Sequence, residues 1–122
     1  MVDRFRKDIG DRAERIVARW LEDQGALILA RNMRLSYLEL DIVAREKDVV
    51  VIVEVRARGE GAWTSPFSSI GGKKKMHLRH AAERLWDRRF KRDPTVSRIR
   101  IDVASVQIRG EEIRLEYARS AL

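Results

Sequence analysis

The residues best placed for chemistry are carboxylates followed at short spacing by a base. Asp41 lies within Leu38-Glu39-Leu40-Asp41-Ile42-Val43-Ala44, and Glu54-Val55-Arg56 closes the β-branched run Val49 to Val53. Alternation through the first segment puts Leu38, Leu40, Ile42 and Ala44 on one side and Glu39, Asp41 and Val43 on the other. The unbroken apolar run reads as a strand covered on both faces. A turn centred on Glu46-Lys47 sets Glu39 opposite Glu54 and Asp41 opposite Ile52. Glu39, Asp41, Glu54 and Arg56 then share one face, with Asp41 and Glu54 as diagonal neighbours about 7–8 Å apart at the backbone. Carboxylates gathered on a buried sheet repel one another and lose hydration, so a cation is expected to hold them ionised. Hard oxygen ligands of this kind suit Mg²⁺ or Mn²⁺. The competing reading is a hairpin with one wet face. The apolar run directly before Glu54 favours a site.

Two further groups belong with these. Glu14 sits beside the apolar stripe of a first helix, and residues three and four away are Gly10, Asp11, Val17 and Ala18, none of them basic. It lacks the partner that a surface glutamate usually finds on its own helix, which suggests a carboxylate aimed elsewhere. Lys73, Lys74 and Lys75 open a second helix, where the helix dipole disfavours positive charge and an anion such as phosphate is favoured. A solvated charge run is the alternative for these lysines. His77 and His80 are three apart but have no third ligand nearby, and read as surface residues.

The elements that must position these groups follow from periodicity and punctuation. A helix is expected from about Asp8 to Asp23, ending at Gly25, with Ile9, Ala13, Ile16, Val17, Trp20 and Leu21 as its stripe. Ala26 to Leu35 reads as a strand, followed by the two strands already described. Ala57 to Gly72 is rich in Gly and Ser and too long for a tight turn; a flexible loop is expected over about 58–72. Its Trp63 and Phe67 suit either stacking on unpaired bases or a small apolar cap. The second helix is expected from about Lys73 to Phe90, with Leu78, Ala81, Ala82, Leu85 and Arg89 along one stripe. Ser97 to Val106 and Glu112 to Tyr117 complete the pattern as strands. The order is αβββαββ, an α/β fold with a mixed central sheet flanked by helices, in a single domain over residues 1–122.

Composition narrows the partners. Net charge is +7, and arginine far outnumbers lysine, which favours a polyanion such as nucleic acid. A basic chain with an internal acidic cluster favours nucleic acid over membrane, because a metal resolves the conflict between phosphate and carboxylate. At 44% hydrophobic residues the chain has enough apolar side chains for a core despite its 37% charged residues. Without cysteine there is no disulfide framework, and a cytoplasmic location is expected. No run approaches the 18 apolar residues of a membrane span, and from the polar start no signal peptide is expected.

The acidic residue on the first helix, the strand Asp and the Glu-x-basic element resemble the constellation of the PD-(D/E)xK nuclease superfamily. A closer likeness runs from Gly10 to Val103. Ala13-Glu14, Trp20-Leu21, Gly25 and Arg31-Asn32-Met33-Arg34 are similar to the opening of the YraN-like family of bacterial proteins. Glu39 to Ala44 is similar to its GEIDLIA segment and Val51 to Arg58 to its VFVEVKTR segment. Ile70, Lys74 and Leu78 match its helix start, and Ile101-Asp102-Val103 its closing FDV strand. That family is similar to Holliday-junction resolvases. The resemblance implies a restriction-endonuclease-like fold and Mg²⁺ or Mn²⁺ held by Glu14, Asp41 and Glu54. It also implies Arg56 in the place of a lysine and Lys74 as a phosphate contact. Lys73, Lys75 and Arg58 are expected to join Lys74 in binding nucleic acid. Two residues depart from the pattern: Leu38 replaces a glycine, and Arg56, always protonated, is unable to relay a proton. The expected activity is metal-dependent endonucleolytic hydrolysis of structured or branched DNA, by a possible homodimer. The alternative is a non-catalytic nucleic-acid-binding module of the same fold.

Overall fold

The computed structural model describes residues 2–58 and 70–122. The element order is α1 (Val2–Asp23), β1 (Leu27–Leu35), β2 (Leu38–Glu46), β3 (Val49–Arg58), α2 (Gly72–Leu85), β4 (Arg98–Arg109) and β5 (Glu112–Ala118), the αβββαββ order read from the sequence. The strands form one sheet in the order β1-β2-β3-β4-β5. Among the described residues only β3 and β4 run parallel, joined by the crossover that contains α2; the other three pairs are antiparallel.

Each face of the sheet buries its own core. On one side α1 lays Ala13, Val17 and Leu21 over Ile42, Ala44, Val51, Val53, Ala104 and Val106. On the other, α2 lays Leu78, Ala81 and Leu85 over Leu40, Val43, Val50, Ile52 and Ile101. Strand β3 is therefore covered on both faces, as its β-branched run requires. β4 is buried throughout Ile101–Ile108, more deeply than simple alternation with inward Ile99, Ile101 and Val103 implies.

α1 stops as the sequence predicts. Gly25 adopts φ +94°, the Gly25 N–H donates to the Glu22 carbonyl and the Ala26 N–H to the Leu21 carbonyl. This is the paired bonding of a Schellman end, which needs a residue tolerant of the left-handed region at this point. α2 departs from expectation at its far end. After Leu85 the chain widens into a π-turn over Trp86–Phe90, with the Lys91 N–H donating to the Trp86 carbonyl. That wider turn shifts the helical phase: Phe90 packs on the core, and Arg89, expected in the apolar stripe, is exposed.

The β2–β3 hairpin also differs from expectation. Its turn is Lys47-Asp48, with Lys47 at φ +54°, so Glu46 pairs with Val49 and Ile42 with Val53. Val43, not Asp41, lies opposite Ile52. The alternation along β2 breaks as well. Leu40 and Val43, three residues apart, both pack toward α2, whereas Ile42 and Ala44 pack toward α1. On β1 the same slip occurs between Ala30 and Met33, around Asn32 at φ +52°. The two strands therefore change phase together, beside Asp41. Most of the expected loop, with Trp63 and Phe67, lies outside the described residues.

Candidate active site

The phase change opens the sheet where the acids meet. Backbone pairing between β2 and β3 ends at Ile42–Val53. One step further, the Val55 N–H donates not to a carbonyl but to Asp41 Oδ2, at 2.9 Å. Continuing the observed register sets Asp41 level with Glu54. The strand alternation that buries Val53 toward α1 turns Glu54 and Arg56 toward α2. There Lys74, in the first turn of α2, brings its Nζ to 3.5 Å from Glu54 Oε1. From the other side of the sheet α1 contributes Glu14, whose Oε1 is 3.7 Å from Arg31 Nη2 of β1. Glu14 thus does find a base, but on another element. The three acids form a row centred on Asp41, gathered from one helix and two strands.

The electrostatics of this row are strained. Glu54 is only 6% exposed; its burial, followed by the nearby Asp41 charge, pushes its carboxyl up to about 7, against the pull of Lys74 and Arg56. Burial also raises Asp41, partly offset by the Val55 N–H and by Lys74. Glu14 is raised by burial and then by Asp41, with Arg31 and Asn32 acting in the opposite direction. Among the described residues three buried carboxylate oxygens lack a hydrogen-bond donor: Glu14 Oε1 and Glu54 Oε2 of this row, and Glu46 Oε1 elsewhere, which has Arg100 Nη2 at 3.4 Å. Buried acceptors without donors are uncommon and costly. An all-oxygen donor set of this kind fits a hard divalent cation. Among the described residues, however, no three acidic or histidine side chains converge into a ready-made cage. Asp41 and Glu54 are the central pair, with Glu14 at one end of the row.

The other expected residues fall around this centre. Glu39, expected on the shared face, is exposed at the rim. Its charge still acts to raise Asp41. Arg56 and Arg58 follow Glu54 at two-residue steps along β3, and Arg56 acts electrostatically on Glu54. Lys73 is exposed and Lys75 half-buried, on a helix start with no acidic residue in its first turn and no side-chain cap. Lys74, expected as a phosphate contact, stands on Glu54. Sequence reasoning also missed Asn32. Its tolerance of the left-handed region was the available signal.

A separate polar cluster braces the α1 side. Asp102 is fully buried and accepts from Arg100 Nε at 2.9 Å and Nη2 at 3.1 Å, from the Tyr117 hydroxyl and from the Ser120 N–H at 2.8 Å. The Tyr117 ring lies 4.6 Å from that of Trp20 on α1. One carboxylate thereby joins β4, β5 and the C-terminal residues beside α1.

The sequence model of the uncharacterised protein family UPF0102 matches residues 13–106. The chain belongs to that family. Among UPF0102 relatives, a protein of Sorangium cellulosum is 46% identical over 83% of this chain and 70% of its own length. One of Dehalococcoides mccartyi is 34% identical over 96% and 94%, and one of Pelotomaculum thermopropionicum 39% identical over 95% and 96%. The UPF0102 match spans every residue of the acid row and Lys74, and its bounds enclose both phase-changed strands.

Proposed function

We propose that this UPF0102 protein is a metal-dependent endonuclease that hydrolyses phosphodiester bonds in structured or branched nucleic acid, DNA in the first instance. The observation that carries the reading is Glu54: a carboxylate buried beside a second carboxylate, with one oxygen lacking any donor among the described residues. A group in that state costs stability unless something else needs it there. Asp41 and Glu54 would hold Mg²⁺ or Mn²⁺, with Glu14 as a further ligand. The ion would supply charge neutralisation at the phosphate and activation of water.

The chain's own groups divide the remaining work. Asp41 is fixed by the Val55 N–H, so its other oxygen has a defined direction. Arg56 is a permanent cation suited to clamping a phosphate through two donors. Lys74 is the only ammonium at hydrogen-bond range of Glu54 among the described residues. We assign it the role of orienting the attacking water or balancing charge at the phosphate. On this reading the lysine that the superfamily pattern puts at Arg56 is supplied instead from the start of α2. Lys73, Lys75 and Arg58 extend the positive surface on which a phosphate backbone would lie.

The test is cleavage of end-labelled four-way-junction, flap, duplex and single-stranded DNA with Mg²⁺ or Mn²⁺, with Glu54→Ala purified in parallel. Cutting that requires metal and disappears in Glu54→Ala and Lys74→Ala is the expected result. Binding without cutting, in wild type and in Arg56→Lys alike, would leave a nucleic-acid-binding module.

A further inference from the structure

Beside the acid row lies a cavity of about 250 Å³ between the start of β2 and the face of α2. Its floor is apolar, with Leu40 and Leu78 buried beneath it, and its rim is polar, with Tyr37, Glu39, Lys74 and His77. Lys74 thus serves two places: its side chain lines this cavity while its Nζ stands 3.5 Å from Glu54. Whatever enters the cavity is one side chain away from the carboxylates.

The rim carries a large exposed aromatic ring. Tyr37, in the β1–β2 turn, is 68% exposed, yet it is held on two sides. The Arg84 guanidinium carbon sits 5.6 Å from the ring centroid, and the His77 ring meets it edge-on at 6.1 Å. His77 and Arg84 are seven residues apart on α2, two turns along one helix face. Such contacts fix a ring in place without burying it, which lowers the entropy lost when a planar ligand stacks.

We propose that this cavity receives one unpaired nucleobase of the strand whose phosphate lies at Glu54, making an extruded or single-stranded nucleotide part of the substrate. The inference rests on the nuclease reading and adds the feature that reading leaves open. A base has two apolar faces and a polar edge, matching an apolar floor under a rim of carboxylate, imidazole and ammonium. The volume is below that of sites for drug-sized ligands, about 300–1,000 Å³, which favours a single planar heterocycle over a base pair.

The experiment measures equilibrium binding in EDTA to a single-stranded oligonucleotide and to a blunt duplex of the same sequence, with 2-aminopurine at successive positions in the single strand. Wild type is expected to prefer the single strand and to change 2-aminopurine fluorescence at one position. Tyr37→Ala, a change on an exposed turn, is expected to lose roughly tenfold in single-strand affinity with duplex affinity unchanged, and Tyr37→Phe to retain wild-type behaviour. Equal affinity of the wild type for both forms, or an equal loss for both in Tyr37→Ala, overturns the proposal. Thermal stabilisation by Mn²⁺ is measured on the same proteins after removal of EDTA and is expected to be identical in wild type and Tyr37→Ala. Its absence from both would overturn the metal site while leaving a Tyr37-dependent preference standing.

Discussion

Removing the charge of Glu54 is expected to stabilise the metal-free protein, by an amount that grows as pH rises from about 4.5 and levels off above about 7. In the unfolded chain this carboxyl titrates near 4.5; in the fold it is pushed up to about 7. The folded value is the higher one, so the stability contribution is full below 4.5 and is lost as pH rises through about 7. A displacement of that size corresponds to about 3 kcal/mol at most. Asp41 titrates with Glu54 and Lys74 offsets part of the cost, so roughly 1–2 kcal/mol is expected for Glu54→Gln at pH 8, shrinking toward zero at pH 4.5. For a domain of this size that is a rise of roughly 4–8 °C in Tm. The assay is thermal unfolding in EDTA at half-unit steps from pH 4.5 to 8.5, repeated with Mn²⁺. With Mn²⁺ the order is expected to reverse, because on the proposed reading the wild type gains the stabilisation of a bound ion and Glu54→Gln does not. A variant less stable than wild type at pH 8 in EDTA would refute the reasoning, since it would mean that the Lys74–Glu54 pair, at 3.5 Å, is a net stabilising ion pair.

Two other outcomes follow from different parts of the molecule. Asp102→Ala leaves the buried Arg100 guanidinium, the Tyr117 hydroxyl and the Ser120 N–H without their shared acceptor; urea unfolding is expected to show a loss of about 3–5 kcal/mol, far above the 0–1 kcal/mol expected for removing the exposed Arg19–Asp23 pair. Replacing Lys73 and Lys75 by Ala while keeping Lys74 is expected to lower nucleic-acid affinity equally for all sequences and to flatten its salt dependence. An unchanged salt slope would make them solvated charges only.

Much of this architecture is legible in the residues, and the exceptions have identifiable causes. The helix end at Gly25, the doubly covered strand Val49–Val53 and the order of elements all follow from local pattern, because each is decided by a few adjacent side chains. The hairpin register is not decided that way. Lys47 occupies a left-handed turn position that Gly or Asn would have announced, and shifting the turn by one residue moves each partner by two. The phase change at Asn32 and Asp41 is invisible to strict alternation, since it involves two strands slipping together. Glu14, Asp41 and Glu54 were recognisable as unusual because each lacks a reason to be acidic where it stands. Their mutual arrangement, and the meeting of Lys74 with Glu54, depends on how α1 and α2 cross opposite faces of the sheet, which no window of sequence records.

The Val55 N–H has a side chain as its acceptor, Asp41 Oδ2, in the middle of a strand where carbonyl acceptors are the rule. The strength of that bond therefore varies with the state of one carboxyl. Protonating Asp41 weakens it, and drawing its charge toward an ion changes it again. A single backbone amide thus offers a spectroscopic gauge of the site: its ¹H–¹⁵N resonance position and its rate of exchange with solvent are expected to follow the protonation of Asp41 and any cation placed beside it.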